Sequence, residues 1–173
     1  MAELEVGKEY ERLDGPITRK QIKTYGKVSK DRNPIHMSDD FAEQVGLNGV
    51  IAHGMLFFGF EGHLISDIAE EVDGEVVTVG AEMRGTVRPG DTVITKAKVE
   101  KVEDNVAHLS VEQWSKMPLK LEKDGEVIKV YEGEEKNWVK EKEKSGIATE
   151  ETDEGILTYR KWISIKGKAS IKF

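Results

Sequence analysis

From His53 to about Val72 the apolar residues Met55, Leu56, Phe57, Phe58, Phe60, Leu64, Ile65, Ile68 and Ala69 recur at helical spacing and cover most of the circumference near the start. That pattern predicts a long helix enclosed by other structure. Gly54, Gly59 and Gly62 lie within it. Each costs about 1 kcal/mol relative to alanine in a helix, which predicts close approach of a neighbouring backbone. Beyond the helix the period falls to two. Val93, Thr95, Ala97 and Val99 alternate with polar residues, and strands are expected over 75–87, 92–102, 106–114 and 162–173, with a short one over 6–13. Arg88-Pro89-Gly90-Asp91 and Glu103-Asp104-Asn105 are turns too short for anything but antiparallel neighbours. The pattern is that of an α+β fold with about five antiparallel strands and one enclosed helix.

Ahead of the long helix, Thr18 is placed to cap a helix running to about Val28, and Ser38 to cap a second short one with Asp39 and Asp40 in its first turn. Asn33-Pro34 stops the chain between them, because the residue before proline is pushed toward extended backbone. Residues 117–157 are strongly charged. A hairpin turning at Asp124-Gly125 is expected to pair Leu119 and Leu121 with Val127 and Val130. Lys140 to Lys144 reads as a solvated helix face and Glu150 to Gly155 as a mobile acidic loop.

A length of 173 residues suits one domain over 1–173, with 117–157 as a charged insertion before the last strand. The formal charge of -7 argues against nucleic acid as a partner, since tracking a phosphate backbone needs clustered cations. With no cysteine there is no disulfide, thiolate nucleophile or Cys-ligated zinc. The longest apolar run, Val50 to Phe60, is interrupted by His53, Gly54 and Gly59 and falls short of the ~20 residues that span a bilayer, so no membrane partner is expected. Met1 to Glu5 lacks a basic start and apolar run, and the expected location is cytoplasmic.

The candidate chemistry lies in the loop before the long helix. Asp31 and His36 would point about 140° apart on one continuous helix, but the Asn33-Pro34 bend frees both to face one spot. A carboxylate and an imidazole there can hold one water. The N–H of Gly54, at the positive end of the helix and without a side chain in the way, suits a developing oxyanion. His53 reads as a packing or supporting histidine, and Phe57, Phe58 and Phe60 as core first, with one face open to a ligand. Asp31, His36 and His53 are metal-ligand types, yet their spacing fits no closed zinc signature and no metal is expected.

Tyr25-Gly26-Lys27-Val28-Ser29-Lys30-Asp31-Arg32-Asn33-Pro34-Ile35-His36, then Ala42, then Gly49-Val50-Ile51-Ala52-His53-Gly54-Met55 form a long ordered pattern, joined later by Val87-Arg88-Pro89-Gly90-Asp91. This pattern resembles the MaoC-like, or R-specific, enoyl-CoA hydratases over about residues 5–115 and the final strand, leaving the insertion outside. The resemblance implies a hot-dog fold, in which an antiparallel sheet wraps the helix beginning near Gly54, and a homodimer or higher oligomer of hot dogs. It implies an acyl-CoA thioester substrate, with trans-2-enoyl-CoA and (R)-3-hydroxyacyl-CoA interconverted and coenzyme A part of the substrate rather than a cofactor. Catalysis then falls to Asp31 and His36, the oxyanion site to Gly54 and support of the loop to Asn33; apart from the resemblance, substrate lining is expected at His53, Met55 and Phe57. Lys30 stands where the family commonly has a small residue, and Gly62 where some members place a serine. The alternatives are a hot-dog acyl-CoA thioesterase and a non-catalytic acyl-CoA-binding subunit of a heterodimeric dehydratase. Arg84, Arg88 and Lys30 are candidates for the coenzyme phosphates.

Overall fold

The computed structural model describes residues 4–173; Met1 to Glu3, part of the stretch read as lacking an export leader, lie outside them. In chain order come β1 (Glu9–Asp14), α1 (Arg19–Ser29), α2 (Pro34–Met37), α3 (Asp39–Gln44), α4 (Gly54–Glu71), β2 (Glu75–Met83), β3 (Thr92–Glu103), β4 (Val106–Lys123) and β5 (Glu126–Val130). They are followed by α5 (Glu132–Glu135), a 3-10 turn (Glu141–Gly146), β6 (Ile147–Thr152) and β7 (Gly155–Lys172). All strand pairs are antiparallel, in one sheet ordered β1-β3-β4-β7-β2, with β5 beside β4 and β6 beside β7. Among the described residues no helix is long and apolar enough to cross a membrane.

The sheet has seven strands where about five were expected. The extra ones are β5 and β6, which pair with the extended ends of β4 and β7, each of 18 residues. Along β4 every second side chain is buried from Ala107 to Leu121, but two of them are Gln113 and Ser115, so the apolar alternation breaks while the strand does not. Both are satisfied inside: Gln113 donates to the Phe57 carbonyl and to Thr95 Oγ1, and Ser115 Oγ accepts from Arg160. Buried Arg160 likewise disguises the first half of β7. β2 ends at Met83 rather than Val87.

Helix α4 lies on this sheet, with Leu64, Ile65, Ile68, Ala69 and Val72 packed on Ala97, Val99, Ala107, Leu109, Val111, Ala169 and Ile171. Only one face is covered, however: Gly59, His63 and Ser66 are exposed and Met55 is 57% exposed, so the described residues do not enclose the helix on all sides. Nor do its glycines mark backbone crossings. A Cβ at Gly59 or Gly62 would meet nothing within 4 Å, and one at Gly54 would make ordinary contact with Met83 at 3.6 Å. An unexpected feature is Glu61, fully buried on α4 with both carboxylate oxygens unpartnered, and burial pushes its pKa up to about 7.

The insertion is built of the far end of β4, then β5, α5, the 3-10 turn, β6 and the start of β7. Its hairpin does turn at Asp124-Gly125, but Val127 faces Glu122 and Val130 faces Lys120, because the register shifts at Leu121/Glu122. The expected acidic loop is instead the β6–β7 hairpin, in which Thr152 pairs Gly155. Glu143, placed by its charge pattern in solvent, is 5% exposed and points at the guanidinium of Arg160.

Candidate active site

Helix α1 begins with a capping box between Thr18 and Gln21 and ends at Lys30, in the left-handed conformation (φ 64°) that a side chain adopts at a cost of roughly 1–2 kcal/mol. From there three side chains stitch the loop. Ser29 Oγ donates to the Tyr25 carbonyl and accepts from Asp31 N–H, Asp31 Oδ1 accepts from Asn33 N–H at 3.2 Å, and Asn33 Oδ1 accepts from Ile35 N–H. These are short-range turns that Asp and Asn favour because their oxygens reach backbone two residues on. Pro34, which was expected only to stop a helix, opens α2, since its fixed φ and missing N–H suit a first helical position.

One turn of α2 carries His36 inward, to 8% exposure. Its Nδ1–H donates to the Ile51 carbonyl at 2.8 Å, which leaves the Nε2 lone pair free. Burial lowers the pKa of His36, reinforced by His53 and opposed by the Ile51 bond and by Asp31. His36 is therefore a neutral base near pH 7. His53, 1% exposed, precedes α4 and donates from Nε2 to the backbone carbonyl of Asp31 at 2.9 Å. Its ring stacks on His36 with centroids 3.9 Å apart, and Tyr25 covers it at 5.0 Å. The carboxylate of exposed Asp31 and a ring nitrogen of each histidine all lie within 4.8 Å of one another.

These three donors are of the kind that bind divalent ions. Their arrangement opposes it: an ion must lie in the plane of each imidazole it binds, and two rings stacked 28° from parallel share no nearby line. What the cluster can do is hold a water between a carboxylate and an unprotonated imidazole nitrogen. The start of α4 adjoins it. No side chain caps that helix, so its first N–H groups, beginning with half-buried Gly54, are available to an anionic oxygen.

The other expected site residues are dispersed. Phe57 packs in the core with Ile17, Ile22, Ala52, Val87, Val93 and Ile165, while Met55 points to solvent. Arg88 is not a phosphate ligand: it is 2% exposed and donates to the carbonyls of Gly49 and Leu47. Arg84 is paired with Glu82, and Lys30 is exposed. Beside Tyr25, a groove of about 390 Å³ runs between Thr18, Gln21, Thr24, Val28 and Leu56.

The family described as "MaoC like domain" matches residues 2–116. The chain belongs to that family. An "(R)-specific enoyl-CoA hydratase" of Rhodospirillum rubrum is 30% identical over 83 residues, 48% of this chain and 58% of the relative. A "3-hydroxyacyl-thioester dehydratase Y" of Mycobacterium tuberculosis is 33% identical over 86 residues, 49% of this chain and 29% of the relative. The chain thus spans less than two thirds of the length of either. In three dimensions it is similar to the "(R)-hydratase from A. caviae involved in PHA biosynthesis", with a TM-score of 0.66 at 15% identity, covering 100% of this chain and 99% of the other. The hot-dog fold of this MaoC-like chain follows from that likeness.

Sequence reasoning passed over Gly26. A Cβ there would sit 2.9 Å from Met37 Sδ, 3.0 Å from the Asp31 carbonyl oxygen and 3.2 Å from His53 Cε1, so the loop packs on bare α1 backbone. A glycine in mid-helix, otherwise unfavourable, was the available signal.

Proposed function

We propose that the protein reversibly adds water across the C2=C3 bond of a trans-2-enoyl-CoA to give the (R)-3-hydroxyacyl-CoA, with Asp31 and His36 as the acid–base pair. The observation that carries this reading is His36, whose Nδ1–H is held by the Ile51 carbonyl and one of whose ring nitrogens lies within 4.8 Å of the Asp31 carboxylate. Both groups accept hydrogen bonds, so they turn the two hydrogens of one water away from the lone pair that attacks C3. As the O–C3 bond forms, Asp31 polarises the water and His36 takes its proton. Charge passes through C2 to the thioester oxygen, where the Gly54 N–H and the start of α4 oppose it. His36, whose charged form is disfavoured by burial, then gives the proton to C2. Water is consumed and no other co-reactant is needed; the coenzyme arrives as part of the substrate.

The protein is further proposed to act as a homodimer or higher oligomer, because β2 and the outer face of α4 expose Val76, Val77, Met83 and Met55 beside Gly54. The test is hydration of crotonyl-CoA by gel-filtered protein. Asp31→Asn and His36→Ala each lower kcat by a factor of about 100 or more, with elution and circular dichroism unchanged. Near-wild-type turnover in either variant rejects the pair, and release of free thiol in place of hydration makes the protein a thioesterase. Activity eluting at the mass of a single chain rejects the oligomer.

A further inference from the structure

Residues 117–173 supply none of the groups proposed to react, yet one of them reaches the loop that holds His36. Trp138 is 3% exposed and lies beyond the MaoC-like match, which ends at residue 116. Its Nε1–H donates to the Asn48 carbonyl at 2.5 Å. The same ring covers the guanidinium of Arg88, 4.7 Å from the ring centroid, and Arg88 in turn donates to the carbonyls of Leu47 and Gly49. Gly49 has φ 128°, and an added Cβ would lie 3.2 Å from both Trp138 Cζ2 and Asp39 Oδ1. Asp39 Oδ1 accepts from Val50 N–H at 2.9 Å. Three successive carbonyls and the next N–H are thus held by side chains.

The chain then enters the site. Ile51 N–H donates to the Ile35 carbonyl, Ile51 O accepts from His36 Nδ1, and Ala52 N–H donates to the Val87 carbonyl. The position of Ile51 O decides which nitrogen of His36 carries the proton, and so whether Nε2 is free to act as a base. Trp138 is itself anchored. Its backbone N–H donates to the Gly133 carbonyl, Glu132 pairs with Arg19, Lys136 pairs with Glu43, and Glu143 faces Arg160.

We infer that Trp138 is a positioning residue: with Arg88 it clamps residues 47–50 so that the Ile51 carbonyl holds His36 in the Nδ1–H form. The inference rests on the role proposed above for His36, but its first consequence is a property of the resting protein.

The decisive experiment compares wild type, Trp138→Phe and Trp138→Ala by ¹⁵N NMR of the histidine side chains and by crotonyl-CoA kinetics. In the wild type His36 is the Nδ1–H tautomer. Trp138→Phe keeps a ring over Arg88 but removes the donor to Asn48; it lowers kcat by about tenfold, the rate equivalent of one hydrogen bond, with KM within about twofold. Trp138→Ala lowers kcat by about 100-fold, the effect of a displacement near 1 Å, and populates the other His36 tautomer. A wild-type His36 signature and wild-type kcat in folded Trp138→Phe overturn the clamp, whatever becomes of the alanine variant. A fall in kcat/KM carried wholly by KM also overturns it. Should the wild type fail to hydrate enoyl-CoA, the functional reading falls, while the tautomer comparison still decides the clamp.

Discussion

The two ends of the β4–β7 ladder serve different purposes. At one end the strands pair with β3 and β2, carry α4, and have an inner face built from Ala107, Leu109, Val111, Ala169 and Ile171. At the other they pair with β5 and β6, and their inner face holds Arg160, Met117, Leu119 and Leu121. The first half is secured by apolar area and is free to leave polar groups such as Asp31 and His36 at its margin. The second has a small core of Met117, Leu119 and Trp138 and secures itself with buried charge. Asp91 sits inside it, pushed up to about 7 by burial against the pull of Arg160. Apolar packing tolerates adjustment, whereas a buried ion pair holds its partners to one geometry. That is a physical reason for a brace to be built of charges although such pairs add little net stability.

The difference breaks most visibly at Glu143. Among the described residues, Glu143→Ala leaves the guanidinium of Arg160 with Asp91, 4.0 Å away, as its one acidic partner. Breaking a buried pair in this way costs about 3 kcal/mol, read as a fall in urea midpoint at constant slope. A loss below about 1 kcal/mol would mean that the extension is anchored elsewhere. Gly26→Ala sharpens the contrast from the other side. The methyl forces Met37 and the Asp31 backbone to shift and costs about 1–2 kcal/mol of overpacking, so the variant loses activity more than stability. Wild-type kinetics in that variant would show that the loop adapts and that its packing on α1 does not set the site.

Much of the first half was legible from the chain. The caps at Thr18 and Ser38, the start of α4 at Gly54, and the convergence of Asp31 with His36 all follow from local rules about turns, proline and helix ends. The second half was misread because its inward positions are polar. Gln113 and Ser115, still paired with β3, break the apolar alternation of β4 just ahead of it, Arg160 breaks that of β7, and Glu143 hides in a run of alternating charge. Their burial depends on partners far away in sequence, which no local pattern displays. Arg88 illustrates the same limit: a cation in a turn reads as a phosphate contact until Trp138 and two loop carbonyls are seen around it. Within the site, the tautomer of His36 was equally hidden, since it depends on a carbonyl fifteen residues on.

The central claim is that a neutral, buried His36 acts with Asp31 on water, and the pH dependence of crotonyl-CoA hydration tests it most directly. Folding lowers the pKa of His36 from its ordinary 6.5, so the midpoint at which the base is lost lies on the acid side of that value. The predicted kcat/KM profile falls toward acid pH in a limb centred below 6.5, and that limb vanishes in the residual activity of His36→Ala. An acid limb centred above 6.5, or one that survives unchanged in His36→Ala, would contradict the account.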